Sequence, residues 1–199
     1  MNTVKLKERD DLVLGSKIGA GKFRECYSVE NREDICVKVI KSNPGNFRLI
    51  QLRFLRKNIH LEELKIRQML PPEIKNYFNP VLEANNNYSV CPRPLNYDGS
   101  YAQSLLHHQG ISDDRFWEEI DYVYRFIDER QLWFFDIFNG RNIFVVEKDR
   151  EGLSPLFVDY KQLGWKAFPL QPDLVFRFRK KLKLKRQYER LIRNYRKTE

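Results

Sequence analysis

The sequence is poor in several things that would have settled its class at once. No stretch of the 199 residues comes near the ~18 consecutive apolar residues that a membrane-crossing helix needs. The first eleven residues are charged but carry no apolar segment, so no secretory leader is expected. Cysteine is scarce: Cys26, Cys36 and Cys91 are odd in number and never spaced as C-x-x-C, which argues against a disulfide framework or a thiolate metal site and for a reducing compartment. The three histidines, His60, His107 and His108, have no cysteine or carboxylate cluster beside them and read as surface or structural residues. No internal repeat or low-complexity tract is present. These absences together predict a cytoplasmic protein.

What the chain does have is core-forming material, with 42% hydrophobic and 14% aromatic residues, enough for one large domain or two small lobes. The formal net charge of +9 is unevenly spread. Residues 171–199 hold 11 of the Lys/Arg and 3 of the Asp/Glu, a net of +8, whereas the first 170 residues are nearly neutral. A basic tail on a neutral body points to an anionic partner for the tail.

Read in order, residues 12–14 lead as a strand into a glycine-bearing turn, residues 26–29 return, and residues 35–40 make a third β-branched strand after the polar turn at 31–34. Residues 48–69 have helical spacing, with Leu52, Leu55, Ile59 and Ile66 on one stripe, and Pro71-Pro72 ends them. Short strands are predicted at 79–82 and 88–90 around the turn Asn85-Asn86-Asn87. The stretch 92–99, with two prolines and Asn-Tyr-Asp-Gly, is the most linker-like, so the chain is divided there into lobes 1–92 and 93–199. Beyond it, Ser112 is the expected N-cap of a helix that buries Phe116, Ile120, Val123 and Ile127. Residues 132–135, 142–147 and 155–160 look extended. Pro172-Asp173 opens a long basic helix whose apolar positions include Leu174, Phe178, Leu182, Tyr188, Ile192 and Tyr195. Trp117, Trp133 and Trp165 read as core or lobe-packing residues.

Three places carry possible chemistry. Gly19-Ala20-Gly21 sits in a strand–turn–strand context, where missing Cβ atoms let backbone N–H groups approach a polyphosphate; a plain hairpin turn would look the same. Lys38 lies mid-strand, 17 residues after Gly21, where either a solvent-facing lysine or a phosphate-holding one is compatible with the pattern. Glu63 falls on the apolar stripe of the next helix and is the preferred partner for Lys38, with Glu62 the competing choice. A strand lysine tied to a helix glutamate is the arrangement that aligns ATP phosphates in kinases. Third, Asn142 and Asp159 bracket an antiparallel strand pair and so meet at one end of it. An amide oxygen and a carboxylate are the hard ligands Mg²⁺ takes alongside phosphate and water, and Asp136 could orient an attacking hydroxyl. Asx-turn chemistry at strand ends is the plain alternative.

The ordered set Gly19-Ala20-Gly21 through Arg24-Glu25-Cys26-Tyr27, Val37-Lys38-Val39, Glu63-Leu64-Lys65, Arg141-Asn142-Ile143-Phe144-Val145 and Val158-Asp159 resembles the bacterial YrbL family, proteins of the PhoP regulatory network with a protein-kinase-like fold. The resemblance implies an α+β, two-lobed fold with a small antiparallel N-lobe sheet and a reduced, mainly helical C-lobe. It implies an ATP site between the lobes, with Gly19, Ala20, Gly21 and Lys38 against the nucleotide, Glu63 paired with Lys38, and Asn142 and Asp159 on Mg²⁺. The sequence also departs from kinase loops. The position five before Asn142, where a base is usual, is Ile137, and Asp136 lies six before. Phe134-Phe135 replaces His-Arg, Tyr160-Lys161 replaces Phe-Gly, and Arg24 stands in place of a third glycine.

The expected function is an ATP- and Mg²⁺-dependent phosphotransferase, with Asp136, Lys38 and Glu63 as its catalytic group. Only 40 residues follow Asp159, too few for a peptide-docking lobe, so the expected acceptor is a hydroxyl of a small molecule, sugar or lipid-linked group. The alternative is a catalytically weak, pseudokinase-like regulatory module, and a third reading is a surface adaptor with a vestigial site. Residues 177–199 suit an anionic membrane surface at the inner face, and a helix with its apolar face packed and its charges solvated fits them equally; nucleic acid is not expected, since no base-reading module is present.

Overall fold

The structure, a computed structural model, describes residues 4–6, 9–21, 23–41, 58–132, 137–149, 152–160 and 177–197. The chain forms two units, one made of Met1–Gln68 and Pro80–Arg93, the other of Met69–Asn79 and Pro94–Glu199. Residues 69–79 thus group with the second unit, and the chain passes finally into it after Arg93.

The first unit is an antiparallel sheet in the order β1 (Val4–Leu6), β2 (Arg9–Ala20), β3 (Arg24–Val29), β4 (Arg32–Ile40), β6 (Tyr88–Pro92), β5 (Glu83–Ala84). Successive side chains of a strand point to opposite faces, and the sequence uses that period strictly. Val29, Ile35, Val37, Tyr88 and Val90 form a buried apolar cluster with Leu12 and Leu14, and Tyr27 and Val39 pack against it. The intervening residues take the other face. Cys26 pairs with Lys38, and Lys38 with Ser89; Ser28 pairs with Cys36, and Cys36 with Cys91. The tight connection after β3 is Glu30-Asn31, shorter and earlier than the polar turn expected at 31–34, because Asn31 takes the left-handed φ of 60° that asparagine tolerates.

Helix α1 (Ile59–Met69) begins at Asn58, whose Oδ1 accepts the backbone N–H groups of His60 and Leu61 at 2.9 and 3.2 Å. It buries His60, Glu63 and Ile66, a stripe at three-residue spacing. The part of the expected helix covering 48–57, with Leu52 and Leu55, lies outside the described residues. Residues 79–82 are not a strand: Phe78 makes an isolated parallel bridge with Phe157, and pairing with β6 starts only at Glu83.

In the second unit β7 (Gln103–Ser104), β8 (Ile143–Asp149) and β9 (Gly152–Phe157) form an antiparallel sheet in chain order. With it are helix α2 (Pro72–Lys75), a 3₁₀ turn (Leu105–His107), α3 (Asp114–Glu129) and α4 (Arg177–Tyr195). The N-cap of α3 is Asp113, not Ser112: its carboxylate accepts from Phe116 N–H and also from Leu153 N–H on β9 at 3.0 Å, so one side chain ends a helix and pins it to a strand. The expected apolar face of α3 is buried. Trp117 is fully buried and donates its indole N–H to Ile111 O at 2.8 Å, whereas Trp133 and Trp165 lie outside the described residues. Phe78 and Phe157 stack at 5.3 Å, and Phe138 meets Phe157 edge-on. On α4 the fully covered residues are Leu184 and Leu191, one heptad apart, and Phe178 is 69% exposed. Of the expected apolar positions, Tyr188 stacks on Tyr124 of α3 at 4.0 Å and bonds Asp121, and Tyr195 packs on Gly140, while Leu184 and Leu191 were not among those expected and Leu174 lies outside the described residues; Lys181 pairs with Asp128.

Candidate functional site

In the first unit the predicted residues share the non-core face of the sheet. Gly19, Cys26, Lys38 and Ser89 form a continuous register row across β2, β3, β4 and β6. Helix α1 covers its far end. His60 Nδ1 meets Ser89 Oγ at 3.1 Å, and one turn further on Glu63 Oε1 accepts from Lys38 Nζ at 2.8 Å. Glu63 is 2% exposed and Lys38 13% exposed, so the pair is formed away from water. Between the two acidic candidates, the structure puts Glu63, and not the half-buried Glu62, against Lys38.

Arg24, which stands where a kinase loop has its third glycine, has a partner that a glycine pattern does not foretell. Its Nη1 lies 2.6 Å from the second oxygen of Glu63, with 11% of its side chain exposed. The signal available was the period of β3: Arg24 is two residues before Cys26 and therefore on the Lys38 face.

The turn itself is closed by Gly21 N–H donating to Arg24 O at 2.8 Å. Neither Gly19 nor Gly21 has a positive φ, and a Cβ added to them would meet Cys26 Cβ at 3.7 Å and Arg24 O at 3.6 Å, ordinary contacts. The described contacts of the chain therefore do not demand glycine at either position. Gly15 is the contrast, for there a Cβ would come within 2.7 Å of Ser28 Oγ. Bare glycine backbone with no internal need for it suits the close approach of a phosphate.

The electrostatics of the face show in its thiols. A hydrogen bond from Cys36, together with the nearby Lys38 and Arg24, holds the Cys26 thiol below its ordinary range against the opposing effect of burial. Cys36, as the donor and buried, is pushed up, and burial raises Cys91 to about 11.

In the second unit Asn142 precedes β8 and Asp159 follows β9. The Ile143–Phe157 pair and the 2.8 Å bond from Val158 N–H to Asn142 O put both at the same end of the hairpin. The loop before Asn142 is fixed by Asn139, whose O accepts from Asn142 N–H at 2.7 Å and whose Oδ1 accepts from Arg141 N–H at 3.1 Å. Gly140 lies under Tyr195 of α4, leaving no room for a Cβ. Asp159 adopts φ 51°, a left-handed conformation that Asp accepts more readily than most residues. Ile137 is fully buried, and Asp136 lies outside the described residues. Among the described residues no group of three or more His, Cys, Asp or Glu side chains forms a metal cluster; an amide and one carboxylate still fit Mg²⁺, which takes the rest of its octahedron from phosphate and water. No helix among the described residues is long and apolar enough to cross a membrane.

No protein-family model and no curated protein matches the chain. Solved structures do. The Rio2 kinase from Chaetomium thermophilum is similar at 16% identity and TM-score 0.52, over 94% of this chain and 59% of that one. The ADP/Mg²⁺-phosphoaspartate complex of the same kinase is similar at 17% identity and TM-score 0.49, over 94% of this chain and 58% of that one. The chain thus spans about three-fifths of the length of the kinase it matches, and with its antiparallel sheet and few helices it has an α+β, protein-kinase-like fold.

Proposed function

We propose that the chain is an ATP- and Mg²⁺-dependent phosphotransferase acting on a hydroxyl of a small-molecule, sugar or lipid-linked acceptor, in a bacterial, cytoplasmic protein of the YrbL family. The observation that carries this reading is the Lys38–Glu63 pair, an ammonium held at 2.8 Å by a carboxylate that is 2% exposed, on a sheet face that also bears the glycine turn. In this reading Lys38 holds the α- and β-phosphates, Glu63 fixes the lysine's position, and the backbone of Gly19, Ala20 and Gly21 covers the polyphosphate. Asn142 and Asp159 supply the protein oxygens for Mg²⁺, which when bound neutralises charge on the transferring phosphoryl group. Asp136 accepts the proton of the acceptor hydroxyl as its oxygen bonds to the γ-phosphorus and the bond to ADP breaks. Positioning and fixed charge account for most of the rate gain. The exposed cations of α4, among them Lys181, Lys185 and Arg186, together with exposed Phe178, suit an anionic membrane surface at the inner face.

A second reading, a nucleotide-binding regulatory module without turnover, is favoured by Ile137: the position five before Asn142 is a fully buried hydrocarbon. Thermal unfolding with and without ATP and Mg²⁺, alongside ADP release over a panel of hydroxyl acceptors, separates the two. Stabilisation with turnover supports the transferase, and stabilisation alone supports the module. In the transferase, Asp159→Asn abolishes turnover; unchanged ADP release in that variant rules the mechanism out.

A further inference from the structure

The carboxylate of Glu63 is shared: Oε1 takes the ammonium of β4 and Oε2 the guanidinium of β3. Arg24 therefore does two things from one residue. Its carbonyl closes the glycine turn by accepting from Gly21 N–H at 2.8 Å, and its side chain anchors that same turn to α1 through a charge-assisted bond of 2.6 Å. Its Cα pairs with Ile40, two residues along β4 from Lys38, so both cations rise from the same face of the sheet. Gripping two oxygens of one carboxyl group holds their charged ends within a few ångströms of each other.

A brace for the fold could have been built from any long polar side chain. The position used here is the first residue after a turn whose glycines the described contacts do not require, and the group used is a guanidinium, whose planar fork of five donors matches phosphate oxygens. We propose that Arg24 is a phosphate-positioning residue: it sets the height of the glycine turn above the Lys38–Glu63 pair and shares the polyphosphate with Lys38. The inference rests on the ATP-binding reading above and adds a second cation to it.

The test is calorimetric titration of the full chain and of Arg24→Gln with ATP, ADP and adenosine in the presence of Mg²⁺. A hydrogen bond to a charged group is worth a factor of about 10 to 100 in affinity. The expected result is a loss of that size for ATP and ADP and a change of less than about twofold for adenosine, which has no phosphate. Arg24→Lys keeps the charge on Glu63 but lacks the fork, and recovers part of the lost ATP affinity; it serves alone where Arg24→Gln does not fold, its expected ATP loss then being measured against unchanged adenosine binding. A brace without contact to phosphate lowers all three affinities together, and that result overturns the inference. ATP binding that is equally tight in both variants overturns it too, while leaving the ATP reading intact. An unaltered chain that does not bind ATP removes the reading and the inference with it.

Discussion

Glu63→Ala is the perturbation whose cost the structure sets most directly. The carboxylate is 2% exposed and bonded at 2.8 and 2.6 Å to two cations that are themselves 13% and 11% exposed. Deleting it leaves two largely buried positive groups facing each other. Breaking a buried pair by removing one partner costs about 3–5 kcal/mol, a large share of the roughly 5–15 kcal/mol that holds a domain together. Removing either cation is milder, about 1–3 kcal/mol, because the carboxylate keeps the other one. The order of the three costs is therefore the prediction: Glu63→Ala exceeds Lys38→Met and Arg24→Met, and adding Lys38→Met to Glu63→Ala recovers stability, since it removes one of two like charges that Glu63 had held together. Native-state hydrogen exchange at the amides of Val37 and Val39 reads this, because both lie in β4 beside Lys38. At 1.4 kcal/mol per decade, exchange there speeds up by about two to four decades, to the limit set by global unfolding. Indole fluorescence does not read it, since the three tryptophans are Trp117, Trp133 and Trp165. Glu62→Ala, one residue away and half-buried, is the control, with an expected change near 0.5 kcal/mol. Glu63→Ala no more harmful than Glu62→Ala, or no more harmful than Lys38→Met, refutes the shared-carboxylate account.

Two further outcomes follow from particular contacts. Iodoacetamide labels Cys26 first: its thiol is held below the ordinary range, so its thiolate appears at lower pH than that of a free cysteine, while burial raises Cys91 to about 11 and Cys36 is raised as the hydrogen-bond donor. Mass spectrometry of peptides labelled at neutral pH checks the order, and equal labelling of all three contradicts the effect assigned to the Cys36 hydrogen bond together with Lys38 and Arg24. Asp113→Ala removes the cap of α3 and the bond to Leu153 together, and lowers stability by about 1–3 kcal/mol in urea unfolding followed by tryptophan fluorescence; Ser112→Ala, by contrast, changes it by less than about 0.5 kcal/mol.

The sequence was most legible where one physical rule acted alone. The β-branched run at 35–40, entered through a polar turn, announced β4, and the run at 26–29 announced β3, because such residues suit a pleated, half-buried surface. Helix α3 was equally plain, with Phe116, Ile120, Val123 and Ile127 all buried. Errors arose where two rules competed. Ser112 and Asp113 are both good caps, and the choice fell to Asp113 because its second oxygen reaches Leu153, a contact 40 residues away that no local pattern encodes. On α4 the expected Tyr188 is held by Tyr124 and Asp121 of another helix, whereas the fully covered Leu184 and Leu191 were not among the expected positions, because a neighbouring helix decides which side is covered. The role of Arg24 is hidden from a glycine pattern, which shows only what a residue replaces. The alternation of β3 asks which face it joins, and that question has the better answer.

That difference bears on how the chemistry of this chain is to be understood. The sheet of the first unit assigns its two faces different work. One face carries Val29, Val37 and Val90 and holds the sheet together; the other carries Cys26, Ser28, Cys36, Lys38, Ser89 and Cys91, with Arg24 at its rim. Small or polar side chains on a largely buried face forfeit hydrophobic stabilisation, roughly 1.5–3 kcal/mol for each large apolar side chain that could have stood there. A fold selected for stability alone fills such a face with valine and isoleucine, as it does on the reverse side. Keeping two cations there then requires Glu63, and Glu63 at 2% exposure requires α1 to lie where it does. Helix position, turn position and lysine position thus depend on one carboxyl group, so that moving any one of them disturbs the others. A chain in which this arrangement were only a relic would gain stability by replacing Arg24, Lys38 and Glu63 together with leucine or methionine. If that triple replacement is more stable than the original and also binds ATP as tightly, the polar face has no role in nucleotide binding; the arrangement described here demands instead that stability rise while ATP binding is lost.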